Sequence, residues 1–225
     1  MTEIDTSFAG NAWWERALYR AARAVVFGFC RVYCRLTVEG REHVPTSGCY
    51  VVAPVHRSIV DSFAASGMTK RRIRYMGKAS LWKRKLFRRF LSSLGGFPVD
   101  RGTADREALK RCMQVIENGE PLLLFPEGER KTGPLVQPLF DGATYVAVKT
   151  NVPIIPVGIG GSERVLPKGA RFPRPRKMHM IIGEPIIPPS AGDGRVPRHA
   201  VKELSEQLHE ELQKLFDAAQ LRAGA

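Results

Sequence analysis

Hydrophobic positions along the chain recur in short unbroken runs and in helical spacings, and the two alternate. Leu36–Thr37–Val38–Glu39 reads as a short strand stopped at Gly40. Cys49–Tyr50–Val51–Val52–Ala53, closed by Pro54, is apolar without alternation, as a strand covered on both faces must be. Ile73–Arg74–Tyr75–Met76 and Phe97–Pro98–Val99–Asp100 are shorter strand candidates, and Pro121–Leu122–Leu123–Leu124–Phe125 is a buried strand cut off by Pro126. Pro153 to Ile159 is a further strand, in which Pro156 predicts an irregular or edge position. Met178 to Ile182 is the last. Helical spacing covers Ser58 to Met68, Ala104 to Asn118 (ended by Gly119), Gly142 to Thr150 and Val201 to Leu221. In the last of these, Leu204, Leu208, Leu212, Leu215 and Phe216 carry the apolar face.

Buried strands alternating with helices predict an α/β fold: a mixed, largely parallel sheet flanked by helices. No internal repeat interrupts it. The Pro- and Arg-rich stretches Leu166 to Lys177 and Pro185 to Pro197 read as surface loops.

Trp13 to Leu36 is an amphipathic helical segment. At about 100° per residue, Arg16, Arg20, Arg23, Arg31 and Arg35 fall in one broad stripe, opposite Leu18, Ala22, Val25, Phe29, Val32 and Leu36. Two readings fit: the apolar face packs on the domain, or it lies in a lipid interface with Trp13 and Trp14 at headgroup level. No window of about eighteen apolar residues predicts a transmembrane helix, and the acidic opening residues Glu3 and Asp5 argue against a signal peptide. The expected organisation is a membrane-associating helical segment over residues 1–36, followed by an α/β domain over 37–225.

Composition changes this picture in one respect. Lys and Arg number 35 against 22 Asp and Glu, a net charge of +13 over 225 residues. That excess points to a polyanionic partner: nucleic acid, an anionic membrane or a phosphorylated substrate. The four cysteines, Cys30, Cys34, Cys49 and Cys112, show neither a C-x-x-C pair nor zinc-ligand spacing and predict neither disulfide framework nor metal site.

The familiar local motifs are absent. There is no Walker A sequence, no G-x-G-x-x-G opening a helix and no H-E-x-x-H. Gly158–Ile159–Gly160–Gly161–Ser162 fails as a nucleophile elbow because Arg164 stands where G-x-S-x-G needs glycine. The chemistry gathers instead at strand ends. After the strand closed by Pro54, His56 lies in the loop at its carboxyl end, where open α/β sheets place ligands. Asp61, in the first turn of the next helix, can reach back to the imidazole, fix its tautomer and leave the other ring nitrogen to accept a proton from a substrate hydroxyl. Ser58-x-x-Asp61 is equally a capping box, which accounts for both residues without catalysis. After Phe125 and Pro126, Gly128 permits close backbone approach, and Arg130 can fork two hydrogen bonds onto a phosphate. A third strand end carries Arg101.

His56-x-x-x-x-Asp61, Gly96–Phe97–Pro98–Val99–Asp100–Arg101, Phe125–Pro126–Glu127–Gly128–x–Arg130 and Val152–Pro153–Ile154–Ile155–Pro156–Val157 together resemble the ordered blocks of the glycerophospholipid acyltransferases of the 1-acylglycerol-3-phosphate acyltransferase type. The resemblance spans roughly His56 to Val157. It implies acyl-CoA or acyl-carrier protein as donor and a lysophospholipid or glycerol-phosphate-like acceptor. It further implies a cytoplasmic membrane-surface location, with no metal or other cofactor. By the same resemblance His56 is the base and Asp61 its orienter. Arg101, Glu127, Gly128 and Arg130 would line the acceptor's phosphate site, with Lys78 beside them. Two positions depart from the family pattern: Val55 stands where Asn is frequent, and Glu129 where Thr or Ser is usual. A carboxylate at 129 repels a phosphomonoester unless it faces away or pairs with Lys131, which leaves another acceptor, such as a glycolipid hydroxyl, open.

Much of the charge excess lies in Lys70, Arg71, Arg72, Arg74, Lys78, Lys83, Arg84, Lys85, Arg88 and Arg89, interleaved with Ile73, Tyr75, Met76, Leu81, Trp82, Leu86, Phe87 and Phe90. A basic, aromatic-bearing segment of this kind is expected to contact an anionic membrane. The alternatives are a basic nucleic-acid-binding domain, for which no recognisable module is present, and a non-catalytic membrane-binding protein of the same fold.

Overall fold

A strand covered on both faces has no place for a polar side chain, and β2 (Val51–Pro54) and β6 (Ile154–Gly160) obey this at every position. They lie at the centre of the sheet. The computed structural model describes residues 12–83, 88, 90–92, 94–99, 106–190 and 196–225. Among them the other strands are β1 (Thr37–Glu39), β3 (Arg74–Lys78), β4 (Gly96–Val99), β5 (Leu122–Leu123) and β7 (His179–Ile182), in the order β1-β7-β6-β2-β5-β3-β4. Strands β6, β2, β5, β3 and β4 are parallel. β7 runs antiparallel to β6, and β1 is parallel to β7. This is the mixed, largely parallel sheet expected of the sequence. Around it lie α1 (Trp13–Val32), α2 (Val60–Ala65), α3 (Arg106–Glu117), α4 (Gly142–Thr150), α5 (Ser162–Val165) and α6 (Arg198–Ala223).

Helix α6 lies directly on β6, and glycines make the approach possible. A Cβ on Gly158 would sit 2.3 Å from the Leu215 carbonyl oxygen, and one on Gly160 would sit 2.2 Å from that of Ala219. Here the glycine-rich stretch is a packing surface. Leu204, Leu208, Leu212 and Phe216 are buried there, as their spacing predicts.

Three expectations are sharpened. Of the two positions expected for Pro156, it takes the irregular one and not the edge: β6 is interior and paired on both sides. The proline is tolerated because pairing with β7 is broken beside it, between the Val157↔Ile182 ladder pair and the isolated bridge Ile154↔Ile186. No ladder bond there needs its missing N–H.

The second concerns α1. Its apolar stripe is divided: Val25 is 73% exposed and Val32 81%, whereas Leu36 is buried, Phe29 packs against the core, and Tyr19 and Cys30 are buried beside them. The inward side is anchored by Phe27, whose ring occupies the space a side chain on Gly67 would need, and by Arg23 Nε, which donates to the Ser66 carbonyl at 2.7 Å. Part of the stripe thus packs on the domain, and Val25 and Val32 are left at the surface. No helix among the described residues is long and apolar enough to cross a membrane.

Third, part of the basic segment after residue 70 turns inward. Arg74 is buried, and Arg72 and Arg74 both bind Glu120. Trp82 is also buried, its indole N–H donating to Ser92 Oγ at 3.1 Å. Lys70 and Lys83 remain exposed. Arg84, Lys85, Leu86, Phe87 and Arg89 lie outside the described residues.

Candidate active site

The loop leaving β2 starts in the core, where buried Val55 donates its N–H to the Val157 carbonyl at 3.0 Å. The next residue, His56, is at the carboxyl edge of the parallel strands. Its Nδ1 lies 3.3 Å from Asp61 Oδ2. The same carboxylate oxygen accepts the backbone N–H groups of Arg57 and Ser58, each at 2.6 Å. Asp61 thus does two things at once: it holds the turn into α2 and faces the imidazole. Asp61 is fully buried, and these donors meet its carboxylate there. Nδ1–H donation to Asp61 leaves Nε2 with its lone pair, and Nε2 has no hydrogen-bond partner among the described residues. Phe125 stacks on the ring with centroids 3.7 Å apart, fixing its plane. Ser58 Oγ donates to the Leu166 carbonyl at 2.8 Å, tying this loop to the segment after α5.

The loop leaving β5 is fastened to the first by Glu127. This carboxylate has no exposed surface. Its Oε2 accepts the His56 N–H at 3.0 Å, and its Oε1 accepts the Gln137 N–H at 3.0 Å. Arg57 Nη1 donates to both oxygens, Arg57 Nη2 donates to the Leu135 carbonyl at 3.0 Å, and the guanidinium lies 4.7 Å from the Phe216 ring centre. A buried charge requires a counter-charge, and each side chain provides one for the other. The Lys131 N–H adds a bond to the His56 carbonyl at 2.8 Å.

His56, Asp61, Glu127 and Gly128 therefore come together at adjacent strand ends. Glu127 is enclosed within the protein, so its contact is with the His56 loop. Gly128 takes the left-handed conformation at φ +72°, which a tight turn there requires of glycine. Arg130 is half-buried on the same loop. Glu129 accepts from Lys131 Nζ at 3.0 Å, so the departure at 129 carries its own counter-charge. Lys78 ends β3 at the same edge of the sheet. Arg101 lies outside the described residues. Arg57, Phe125 and Gln137 were not singled out by sequence reasoning. For Arg57 one signal was available: an arginine flanked by a buried strand needs a carboxylate, and Glu127 is the acid at the neighbouring strand end.

Similarity to known proteins extends over most of the chain. The family model described as Acyltransferase matches residues 35–160. A Bacillus subtilis protein named 1-acyl-sn-glycerol-3-phosphate acyltransferase is 30% identical over 150 residues, covering 66% of this chain and 72% of that one. A Pseudomonas aeruginosa protein of the same name is 26% identical over 204 residues, covering 85% and 75%. A chloroplastic protein of that name from Arabidopsis thaliana is 26% identical over 158 residues, and the chain spans only 44% of its length. The crystal structure of the 1-acyl-sn-glycerophosphate acyltransferase PlsC of Thermotoga maritima superposes with a TM-score of 0.72 at 24% identity, covering 92% of this chain and 84% of that one, a likeness of fold.

Proposed function

The chain belongs to the acyltransferase family, and we propose that it transfers a fatty acyl group from acyl-CoA, or acyl-carrier protein, to the free hydroxyl of lysophosphatidic acid or a related lysophospholipid. The observation that carries the mechanism is the pairing of His56 Nδ1 with buried Asp61 while Nε2 stays open at the carboxyl edge of the parallel strands. Nε2 takes the proton of the acceptor hydroxyl as its oxygen attacks the thioester carbonyl. The tetrahedral intermediate collapses with cleavage of the C–S bond, and the imidazolium returns the proton to the leaving thiolate. Asp61 stabilises the imidazolium and holds the ring's tautomer. Every proton is accounted for between His56, acceptor and thiol, so the scheme needs no metal or other cofactor.

Arg130, and with it Arg101 and Lys78, would meet the acceptor's phosphate, with Gly128 allowing close backbone approach. Glu127 contributes by holding the loop that carries Gly128 and Arg130. A location on the cytoplasmic face of an anionic membrane fits the lipid acceptor. It is supported by the exposed apolar residues of α1, Trp13, Trp14, Val25 and Val32. Nucleic acid then takes second place among polyanionic partners.

The test is acyl transfer from radiolabelled acyl-CoA to lysophosphatidic acid by His56→Ala. Turnover is expected to fall by about 10²- to 10⁴-fold with the fold intact. Retained transfer in that variant would overturn the mechanism.

A further inference from the structure

The chain between Glu163 and Glu184 holds six lysines and arginines and no acidic residue. Arg164 is committed to the end of α6, where it donates to the Gly224 and Ala223 carbonyls. The other five, Lys168, Arg171, Arg174, Arg176 and Lys177, stand exposed on residues 166–177, the loop from α5 to β7. The guanidinium groups of Arg171, Arg174 and Arg176 have no hydrogen-bond or ion-pair partner among the described residues. Between the first two, Phe172 is 80% exposed.

This loop is fastened beside the catalytic groups. β6 ends and β7 begins at the carboxyl edge of the parallel strands, the edge that carries His56. Ser58 Oγ donates to the Leu166 carbonyl, and Lys168 Nζ reaches the Arg130 carbonyl at 3.4 Å. Within the loop the Arg174 N–H donates to the Val165 carbonyl at 2.7 Å. On its other side Tyr33 Oη donates to the Pro173 carbonyl at 3.0 Å, and the Met178 N–H to the Cys34 carbonyl at 3.0 Å. Two of these ties adjoin a further exposed apolar residue: Ile59 follows Ser58 at the start of α2, and Val32 precedes Tyr33 at the end of α1. Arg35, exposed and in the left-handed conformation at φ +46°, adds a cation one residue beyond Cys34.

Cations gathered without acids repel one another, and exposed apolar side chains are unfavourable in water. A partner that is anionic outside and apolar within relieves both. An anionic bilayer is such a partner: its headgroups meet the arginines while Phe172 enters the acyl boundary. Phe172, Val32 and Ile59 stand singly on three segments. A fluid lipid layer takes single side chains at any spacing, whereas a protein partner must match them with pockets of its own. We propose that residues 166–177 form a membrane-inserting loop, anchored by Phe172, that sets the carboxyl edge and His56 against the lipid layer holding the acceptor. This rests on the membrane reading above and adds which face of the protein meets the lipid.

The variants to make are Phe172→Ala, Phe172→Trp and the pair Arg171→Gln with Arg174→Gln, none of which alters Ser58, Lys168 or His56. The control is Lys202→Ala with Lys214→Ala, exposed cations of α6. Flotation is measured with phosphatidylcholine vesicles containing phosphatidylglycerol, at low and high salt, and turnover on vesicle-borne and on detergent-dispersed lysophosphatidic acid. Phe172→Ala is expected to lower flotation several-fold and to raise the KM for vesicle-borne acceptor, with kcat and detergent turnover unchanged. Phe172→Trp is expected to retain flotation, since an interfacial ring is restored. The arginine pair should lose low-salt binding and much of its salt dependence, and the α6 control neither. Wild-type flotation that the Phe172→Ala and arginine variants leave unchanged, or an equal loss in the control, would overturn the loop's role and leave the membrane reading standing. No flotation by the wild type would overturn both. Loss of turnover with acyl-carrier protein as donor but not with acyl-CoA, at unchanged flotation, would assign the loop to an acidic protein and overturn its assignment to lipid. His56→Ala should float as the wild type does, so the catalytic reading can fail without this one.

Discussion

Arg57 Nη1 donates to both carboxylate oxygens of Glu127, at 2.9 and 2.7 Å, across 70 residues of chain, and neither side chain has appreciable contact with solvent. The pair locks the loop carrying His56 to the loop carrying Gly128 and Arg130. Removing one partner strands a buried charge, at a cost of about 3–5 kcal/mol, whereas replacing both with apolar groups of similar volume is close to neutral. Arg57→Met and Glu127→Leu should each lower the free energy of unfolding, measured by denaturant titration, by that amount, and the double variant should recover most of it. Additive losses in the double variant would show that the two charges do not act as a unit.

Asp61 separates catalysis from capping. Asp61→Asn keeps an oxygen for the N–H groups of Arg57 and Ser58 but loses the charge that favours Nδ1–H on His56. Turnover should fall by about 10²- to 10⁴-fold while the melting temperature moves little. Asp61→Ala should lose both. Near-normal turnover in Asp61→Asn would reduce the carboxylate to a helix cap.

What could be read from the sequence was what periodicity and punctuation encode. Val51–Pro54 and Leu122–Leu123 lie in apolar runs ended by proline, so the strand ends that carry His56 and Glu127 were visible. The spacing from His56 to Asp61 is one turn, a local relationship. The Arg57–Glu127 strut is not local, and no period records which distant charges will meet in the interior. The orientation of α1 was hidden for a similar reason. Its apolar stripe is real, but Phe27 against Gly67 and Arg23 at the Ser66 carbonyl decide which side turns inward. Pro156 left edge and irregular placement both open because its rule concerns an unmet ladder bond, and the break in β6–β7 pairing that decides between them exists only in the folded sheet.

Gly158 has a different kind of neighbour from a flexible side chain. An alanine Cβ would meet the Leu215 carbonyl oxygen at 2.3 Å, and that oxygen belongs to the backbone of α6. The helix must move away from β6, so Gly158→Ala should destabilise the protein by about 1–3 kcal/mol or more, the range for overpacked cores. Denaturation midpoints within error of the wild type would show that α6 moves aside freely.

His179 gives the β1–β7 seam a pH dependence. Its Nδ1 is 2.5 Å from Thr37 Oγ1, and burial holds the ring's pKa below the usual 6.5, outweighing the attraction of Glu39, while Arg222 and Lys177 push the same way as burial. The folded state therefore resists protonation. Above about pH 7 both states are neutral and the group contributes nothing to the slope. As pH falls through 6.5 the unfolded chain takes up the proton first and stability drops. His179→Gln should flatten the stability profile between about pH 7 and pH 5. An equally steep profile in that variant would assign the acid sensitivity to other groups.

The exposed valines of α1 offer the sharpest test of the membrane reading, because they contribute little to the core. Val25 and Val32 are 73% and 81% exposed, so replacing both with glutamate should change stability by no more than about 0.5 kcal/mol per site. In a lipid interface the same two charges face both a desolvation cost and repulsion from anionic headgroups. Val25→Glu with Val32→Glu should abolish flotation with anionic vesicles and depress turnover on vesicle-borne acceptor. Turnover on acceptor dispersed in detergent should persist, since His56 and Asp61 are untouched. Flotation unaffected by the double substitution would remove α1 from the membrane contact and leave the exposed basic residues to carry it.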